Sequence, residues 1–196
     1  MPNFERLTTP ATPVITTEEA KLFIRQDLPD EDHVIDLMVA AAAREIEAYA
    51  QIALLEQTVR VSVDGPHSAG RIPLPVGPVA SGVVATVDMV APDGSETSLS
   101  SANWSLVSGT APAIWLIDDV AALPSLLSQS STVLRIEYQA GWGPDPQDVP
   151  ADLLQAVQDQ TAQLYEMRAG QPMARHQSSM SPHAVRIAQR YRRSTV

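Results

Sequence analysis

Residues 136–170 read IEYQAGWGPDPQDVPADLLQAVQDQTAQLYEMRAG, and inside them the hydrophobic period changes from two to 3.6. On the upstream side Leu134, Ile136 and Tyr138 alternate with Arg135 and Glu137, the pattern of a half-buried strand. Downstream, Leu153, Leu154, Val157, Thr161, Leu164 and Tyr165 fall on one helical face. Pro150 suits a first helical position, where an N–H has no intrahelical partner. Asp152 puts negative charge in the first turn, and Gly170 is the expected stop after Arg168. A strand therefore hands over directly to a long helix.

Working outward, the N-terminal part is helical. In TTEEAKLFIRQDL (16–28), Thr16 can cap the helix while Glu19 reaches back, a reciprocal capping box, and Pro29 ends the segment. A longer helix follows, with Asp30 as cap and Val34, Ile35, Met38, Ala41, Ala42, Ile46 and Tyr49 as its stripe. The alanine run 40–43 permits close helix packing, within the chain or between subunits, and an internal contact is favoured. Between the helices the period is two. Val59, Val61 and Val63 share a face; GRIPLPVGP (70–78) is an extended, proline-punctuated edge strand; residues 81–100 form a hairpin turning through Pro92, Asp93 and Gly94. Short strands are expected at NWSLV and AIWLI. A last short helix opens at Ser181 and Pro182.

The fold class is thus α+β: a small helical bundle (helices near 17–28, 31–50 and 150–168) with an inserted β-rich module and a C-terminal extended tail carrying a short helix. The expected divisions are an extended N-terminal arm at 1–15, a helical core at 16–56 and 144–170, the β insertion at 57–143, and a basic tail at 171–196. Two helices cannot bury their stripes alone, so the third must return and pack on them.

Composition excludes several classes of function. There is no cysteine, hence no disulfide, thiolate metal site or cysteine nucleophile. His33, His67, His176 and His183 lack metal-site spacing, and no phosphate-binding loop, dinucleotide fingerprint or nucleophile elbow is present. The pairs Asp118/Asp119 and Asp30/Asp32 read as solvated surface. Trp104, Trp115 and Trp142 read as core packing rather than a sugar platform. No catalytic residue, cofactor, metal or membrane span is assigned. The N-terminus lacks the basic start and apolar run of a signal peptide, so the chain is expected to start out in the cytosol.

Charge supplies the sharpest contrast. From Arg168 onward there are six arginines and no acid, so the remainder holds 7 basic residues against 23 acidic ones, a net −16. The tail can be a solubilising end, a nucleic-acid arm, or a segment that folds onto a partner, with Val185, Ile187 and Tyr191 as anchors and Arg186, Arg190, Arg192 and Arg193 on the partner's carboxylates. Its capped helix start favours docking on a partner.

Two blocks, ITTEEAKLFIRQD with DEDHVIDLMVAAAAREIEAYA, and IEYQAGWGPDPQDVPADLLQAVQDQTAQLYEMRAG, resemble the head-tail connector (adaptor) family of tailed phages and gene transfer agents. In the second, a strand ending Tyr138-x-Ala140-Gly141-Trp142-Gly143 leads through an acidic loop to Val149-Pro150-x-Asp152-Leu153 and a long helix, which is similar to the family's signature. The resemblance implies a non-enzymatic protein of a virion or phage-like particle neck, assembled in the bacterial cytoplasm. It implies a dodecameric ring under the portal, with DNA passing through without specific binding. The tail residues 185–187 and 190–193 would dock on the portal, and Pro92, Asp93 and Gly94 would touch a downstream neck protein, a stopper or tail terminator. The rival readings are a β-rich glycan-binding module and a nucleic-acid-binding protein acting through its basic tail.

Overall fold

The computed structural model describes residues 3–27, 29–64, 70–116, 133–168 and 180–192. Contacts divide the chain into two units, one made of Met1–Thr9 and Glu56–Trp142, the other of Pro10–Leu55 and Gly143–Val196.

Among its described residues the first unit contains two antiparallel sheets. Five strands, β1 (Asn3–Arg6), β2 (Gln57–Asp64), β4 (Thr86–Val90), β5 (Glu96–Ser98) and β8 (Val133–Ala140), form a sheet in the order β1-β2-β8-β4-β5. Strands β3 (Gly70–Pro73), β6 (Trp104–Val107) and β7 (Ala113–Leu116) form the second, in the order β3-β7-β6. The pairing of β2 with β8 sets Val59 opposite Tyr138, Val61 opposite Ile136 and Val63 opposite Leu134. Because strand side chains alternate, this register puts Val59, Val61, Leu134, Ile136 and Tyr138 inside, none more than 1% exposed. The other face carries charge. Arg60 bridges Glu137 at 2.7 Å and Glu5 at 2.8 Å, and Arg135 pairs with Glu96. Glu137 foremost holds the Arg60 guanidinium above its ordinary range.

The proline-punctuated segment lies at a sheet edge, as its missing donors require. Within the extended N-terminal arm, residues 3–6 form strand β1, paired antiparallel with β2, a pairing the sequence reading did not foresee. Trp115 also departs from expectation, since it is 45% exposed on β7 rather than in the core.

The second unit has four helices, α1 (Thr17–Ile24), α2 (Asp32–Ala50), α3 (Ala151–Arg168) and α4 (Pro182–Tyr191), among its described residues. The capping box forms: Thr16 Oγ1 accepts from the Glu19 N–H at 3.2 Å, and Glu19 Oε2 accepts from the Thr16 N–H at 2.8 Å. α1 ends earlier than its sequence pattern, at Arg25, which takes the left-handed conformation with φ 57°. Asp30 lies in a single 3-10 turn, Pro29–Glu31, ahead of α2 rather than capping it. Ile35, Val39, Ala42 and Ile46 from α2, and Leu153, Ala156 and Val157 from α3, make the interior of the unit, each at most 3% exposed. The alanine run splits: Ala42 is buried, whereas Ala40 and Ala41 are exposed.

Candidate functional site

The strongest polar constellation joins α4 to α2 and α3. Its apolar side is short: Ala184 and Ala188 are fully buried, Ile187 is 2% exposed and the preceding Met180 is 7% exposed. Around these, polar groups fix the helix. The Ser181 N–H donates to Gln160 Oε1 at 2.7 Å, and Gln160 Nε2 donates to Glu45 Oε2 at 2.6 Å. Gln160 has no exposed surface, so its amide must be satisfied internally, and these two bonds use both its ends. His183 Nδ1 meets Asp159 Oδ2. At the far end the Tyr191 hydroxyl donates to Asp152 Oδ1 at 2.6 Å, and Arg190 reaches the other oxygen of Asp152 at 3.5 Å. Burial first, then the bond to Asp152, pushes the Tyr191 phenol up to about 12. Gln189 Nε2 donates to the Tyr49 hydroxyl at 3.1 Å, and the Arg192 guanidinium lies 5.3 Å from the Tyr49 ring centroid, within cation–π range.

This arrangement corrects the expectation that Val185, Ile187 and Tyr191 wait as anchors for a partner. Ile187 is spent on the chain's own interior, Val185 and Tyr191 are half-buried, and the acids that meet the basic helix belong to α3 of the same chain. The outward side of α4 presents Arg186, Gln189, Arg190 and Arg192. Arg186 makes no hydrogen bond or ion pair among the described residues. Arg193 lies outside the described residues.

At the hairpin tip Pro92, Asp93 and Gly94 are all exposed. The turn is firmly built. Asp93 Oδ1 accepts from the Ser95 N–H at 2.9 Å and from the Ser95 hydroxyl at 2.7 Å, and Gly94 sits at φ 84°, where a side chain would be strained. The Ser95 hydroxyl foremost holds the Asp93 carboxyl below its ordinary range.

No group of three or more His, Cys, Asp or Glu among the described residues could hold a metal ion, and no helix among them is long and apolar enough to cross a membrane. His67, His176, Asp118 and Asp119 lie outside the described residues.

No protein-family model matches the chain, and no curated protein does. Solved structures do. A chain from the neck of an empty gene transfer agent particle, computed with C6 symmetry, is 26% identical and superposes with a TM-score of 0.76, covering 99% of this chain and 97% of that one. A chain from the virion of a native gene transfer agent particle is 25% identical with a TM-score of 0.75, covering 98% and 96%. A third, from the neck of a native particle computed with C12 symmetry, is 27% identical with a TM-score of 0.67, covering 100% and 97%. The resemblance read from the sequence holds. Over nearly its whole length the chain is similar to chains of gene transfer agent necks and virions, which supports the head-tail connector, or neck, family.

The residues that carry the resemblance have structural reasons. Tyr138 is buried and its hydroxyl both donates to the Val76 carbonyl at 3.0 Å and accepts from the Val76 N–H at 3.2 Å, tying β8 to the segment after β3. A Cβ on Gly143 would fall 2.2 Å from Asp148 Oδ2, so only glycine fits where that carboxylate caps the 3-10 turn before α3. Sequence reasoning missed Gln160 and Asp152 as the chain's own docking groups for α4. Their only signal was a glutamine interrupting an apolar stripe and an acid at a helix start.

Proposed function

We propose that this chain is a non-enzymatic structural connector in the neck of a phage-like particle. Copies close into a ring under the portal, join the DNA-filled head to the next neck component and continue the channel through which DNA leaves. The observation that carries this reading is the superposition over 99% of the chain, at a TM-score of 0.76, on a chain from a gene transfer agent neck. Necks computed with C6 and C12 symmetry support a ring, which we take to be a dodecamer. A net charge of −10 supports the channel, because like charge removes the phosphate attraction that would hold DNA in place.

In this reading the portal contact uses the basic side of α4. Val185, Ile187 and Tyr191 seat the helix on its own chain, and Arg186, Arg190, Arg192 and Arg193 turn to acidic groups of the portal as charge-assisted pairs. The tip at Pro92, Asp93 and Gly94 meets the downstream neck protein. Assembly takes place in the bacterial cytoplasm. Removing the chain from producing cells is expected to leave DNA-filled heads without tails, with tail joining restored by the purified protein. Normally tailed particles from such cells would refute the reading.

One observation favours a second reading, ligand binding by the β unit. Trp115 is 45% exposed, and the register sets it between Arg71 and Ser105 on one face of the three-stranded sheet. Saturable binding on a glycan array, abolished by Trp115→Ala, would support it; a connector is expected to bind none.

A further inference from the structure

Helix α2 is apolar on two sides. One side, Ile35, Val39, Ala42 and Ile46, is buried in the helical unit. The opposite side carries Leu37, 58% exposed, with Ala40, Ala41 and Ala48 also exposed along about 16 Å of helix. Surface helices normally present charge there. Arg44 is the one exposed charge in this span, and it makes no hydrogen bond or ion pair among the described residues. On α1, joined to the start of α2 by the Thr17 bond to Asp36 and the Lys21–Asp32 pair, Leu22 is 77% exposed.

Helix α3 buries Leu153, Ala156, Val157 and Gln160, so the helical period turns Ala151, Gln155, Gln158, Ala162 and Glu166 the other way. That stripe is neutral except for Glu166, which is exposed and likewise makes no hydrogen bond or ion pair among the described residues. Since α2 and α3 pack on each other, their outward stripes lie on opposite sides of the pair. Each is poor in charge, as the centres of protein interfaces are, and their single free charges are of opposite sign.

We propose that the outward face of α2 in one copy packs on the outward face of α3 in the next copy of the same chain, with Arg44 opposite Glu166. Closed rings need a contact of this kind, in which two different faces of one protomer meet; a face that met itself would stop at a dimer. The inference rests on the ring reading proposed above and names the surfaces that reading leaves unassigned. Alanines at 40, 41 and 48 let the backbones approach closely, while Leu37 supplies the large buried group.

The chain has no cysteine, which makes the contact directly testable. Three full-length proteins are placed on portal-bearing heads with a short bis-maleimide: Ala41→Cys, Ala162→Cys, and the double variant, whose two sites each lie within about 6 Å along the helix of Arg44 and Glu166. The expected result is a ladder of cross-linked multimers from the double variant, with neither single variant linking to itself. Dimers from Ala41→Cys alone, or an intact ring whose double variant does not cross-link, would overturn the proposal and leave the connector reading standing. If the wild-type protein forms no ring on heads at all, the connector reading fails and this contact fails with it. A charge exchange gives a second measurement. Arg44→Glu or Glu166→Arg alone is expected to weaken ring formation about tenfold through like-charge repulsion, and the two together to restore most of it. A double variant no better than either single one would count against the pairing.

Discussion

Replacing Ile187 by alanine tests whether α4 is held by its own chain or waits for a partner. Ile187 is 2% exposed between the fully buried Ala184 and Ala188. The change removes three buried carbon groups, worth about 0.8 kcal/mol each, or roughly 2.4 kcal/mol before any cavity cost. Buried Ile→Ala replacements cost about 2–5 kcal/mol in general. The lower end is expected, because α4 is short, buries only a narrow apolar side and can leave its seat rather than enclose a void. Its polar attachments at Gln160, Asp159 and Asp152 would remain. Such a loss raises the local opening equilibrium of α4 about fiftyfold. Native-state hydrogen exchange reads this at the amides of residues 185–191, and Arg186→Ala serves as control, since an exposed side chain without partners is worth within about 0.5 kcal/mol. Equal protection of α4 in wild type and Ile187→Ala would refute the argument and return Ile187 to the role of a free anchor.

Gln160→Leu leaves the Ser181 N–H and Glu45 without their partner in a buried site, and a loss of about 1–3 kcal/mol is expected in chemical denaturation, beyond that of Gln158→Leu. Tyr191 holds its proton more tightly in the folded chain, with a value of about 12 against an ordinary 10, so its contribution to stability is complete below pH 10 and declines as pH rises toward 12. Tyr191→Phe is expected to lack that alkaline decline. Gly143→Ala should cost well over 1 kcal/mol, because a Cβ would sit 2.2 Å from Asp148 Oδ2; Asp148→Gly in the same chain should recover part of the loss. Replacing residues 92–94 with a neutral turn is expected to leave particles with the connector on their heads but few tails, counted by electron microscopy.

Much of the fold was legible because its signals are local. The change of period at 141–150, the capping box at Thr16 and Glu19, and the Pro92–Gly94 turn each need only a few adjacent residues. The errors have a common physical cause in long-range partners. Strand β1 is four residues long, and nothing in NFER specifies pairing; its partner β2 begins more than fifty residues later. Helix α1 stops early because Arg25 adopts the left-handed conformation usually left to glycine, so the expected stop residue was absent. Gln51 ends α2 in the same way. In α4 the buried set is Ala184, Ile187 and Ala188, spaced at three and four residues, but alanine is indifferent to burial in a sequence pattern. The larger Val185 and Tyr191 took its place in the reading.

The candidate surfaces were harder to read for a different reason. The arginine-rich end demands acidic company, and from Arg168 onward the sequence offers none. Folding supplies them: Asp152 and Asp159 are brought beside Arg190, Tyr191 and His183 by the return of α4 along α3. That leaves Arg186 as the arginine of α4 with no partner among the described residues, and so narrows where a foreign acidic group could act. Helix α2 gives the converse case. Its alanine run looked like one packing surface, and only the fold separates Ala42, which is buried in the unit, from Ala40 and Ala41, which face out with Leu37. A helix needs one apolar side to hold its place in a monomer. The second apolar side on α2 has no work within its own unit, and its exposure to water is a standing cost that a neighbouring copy would remove.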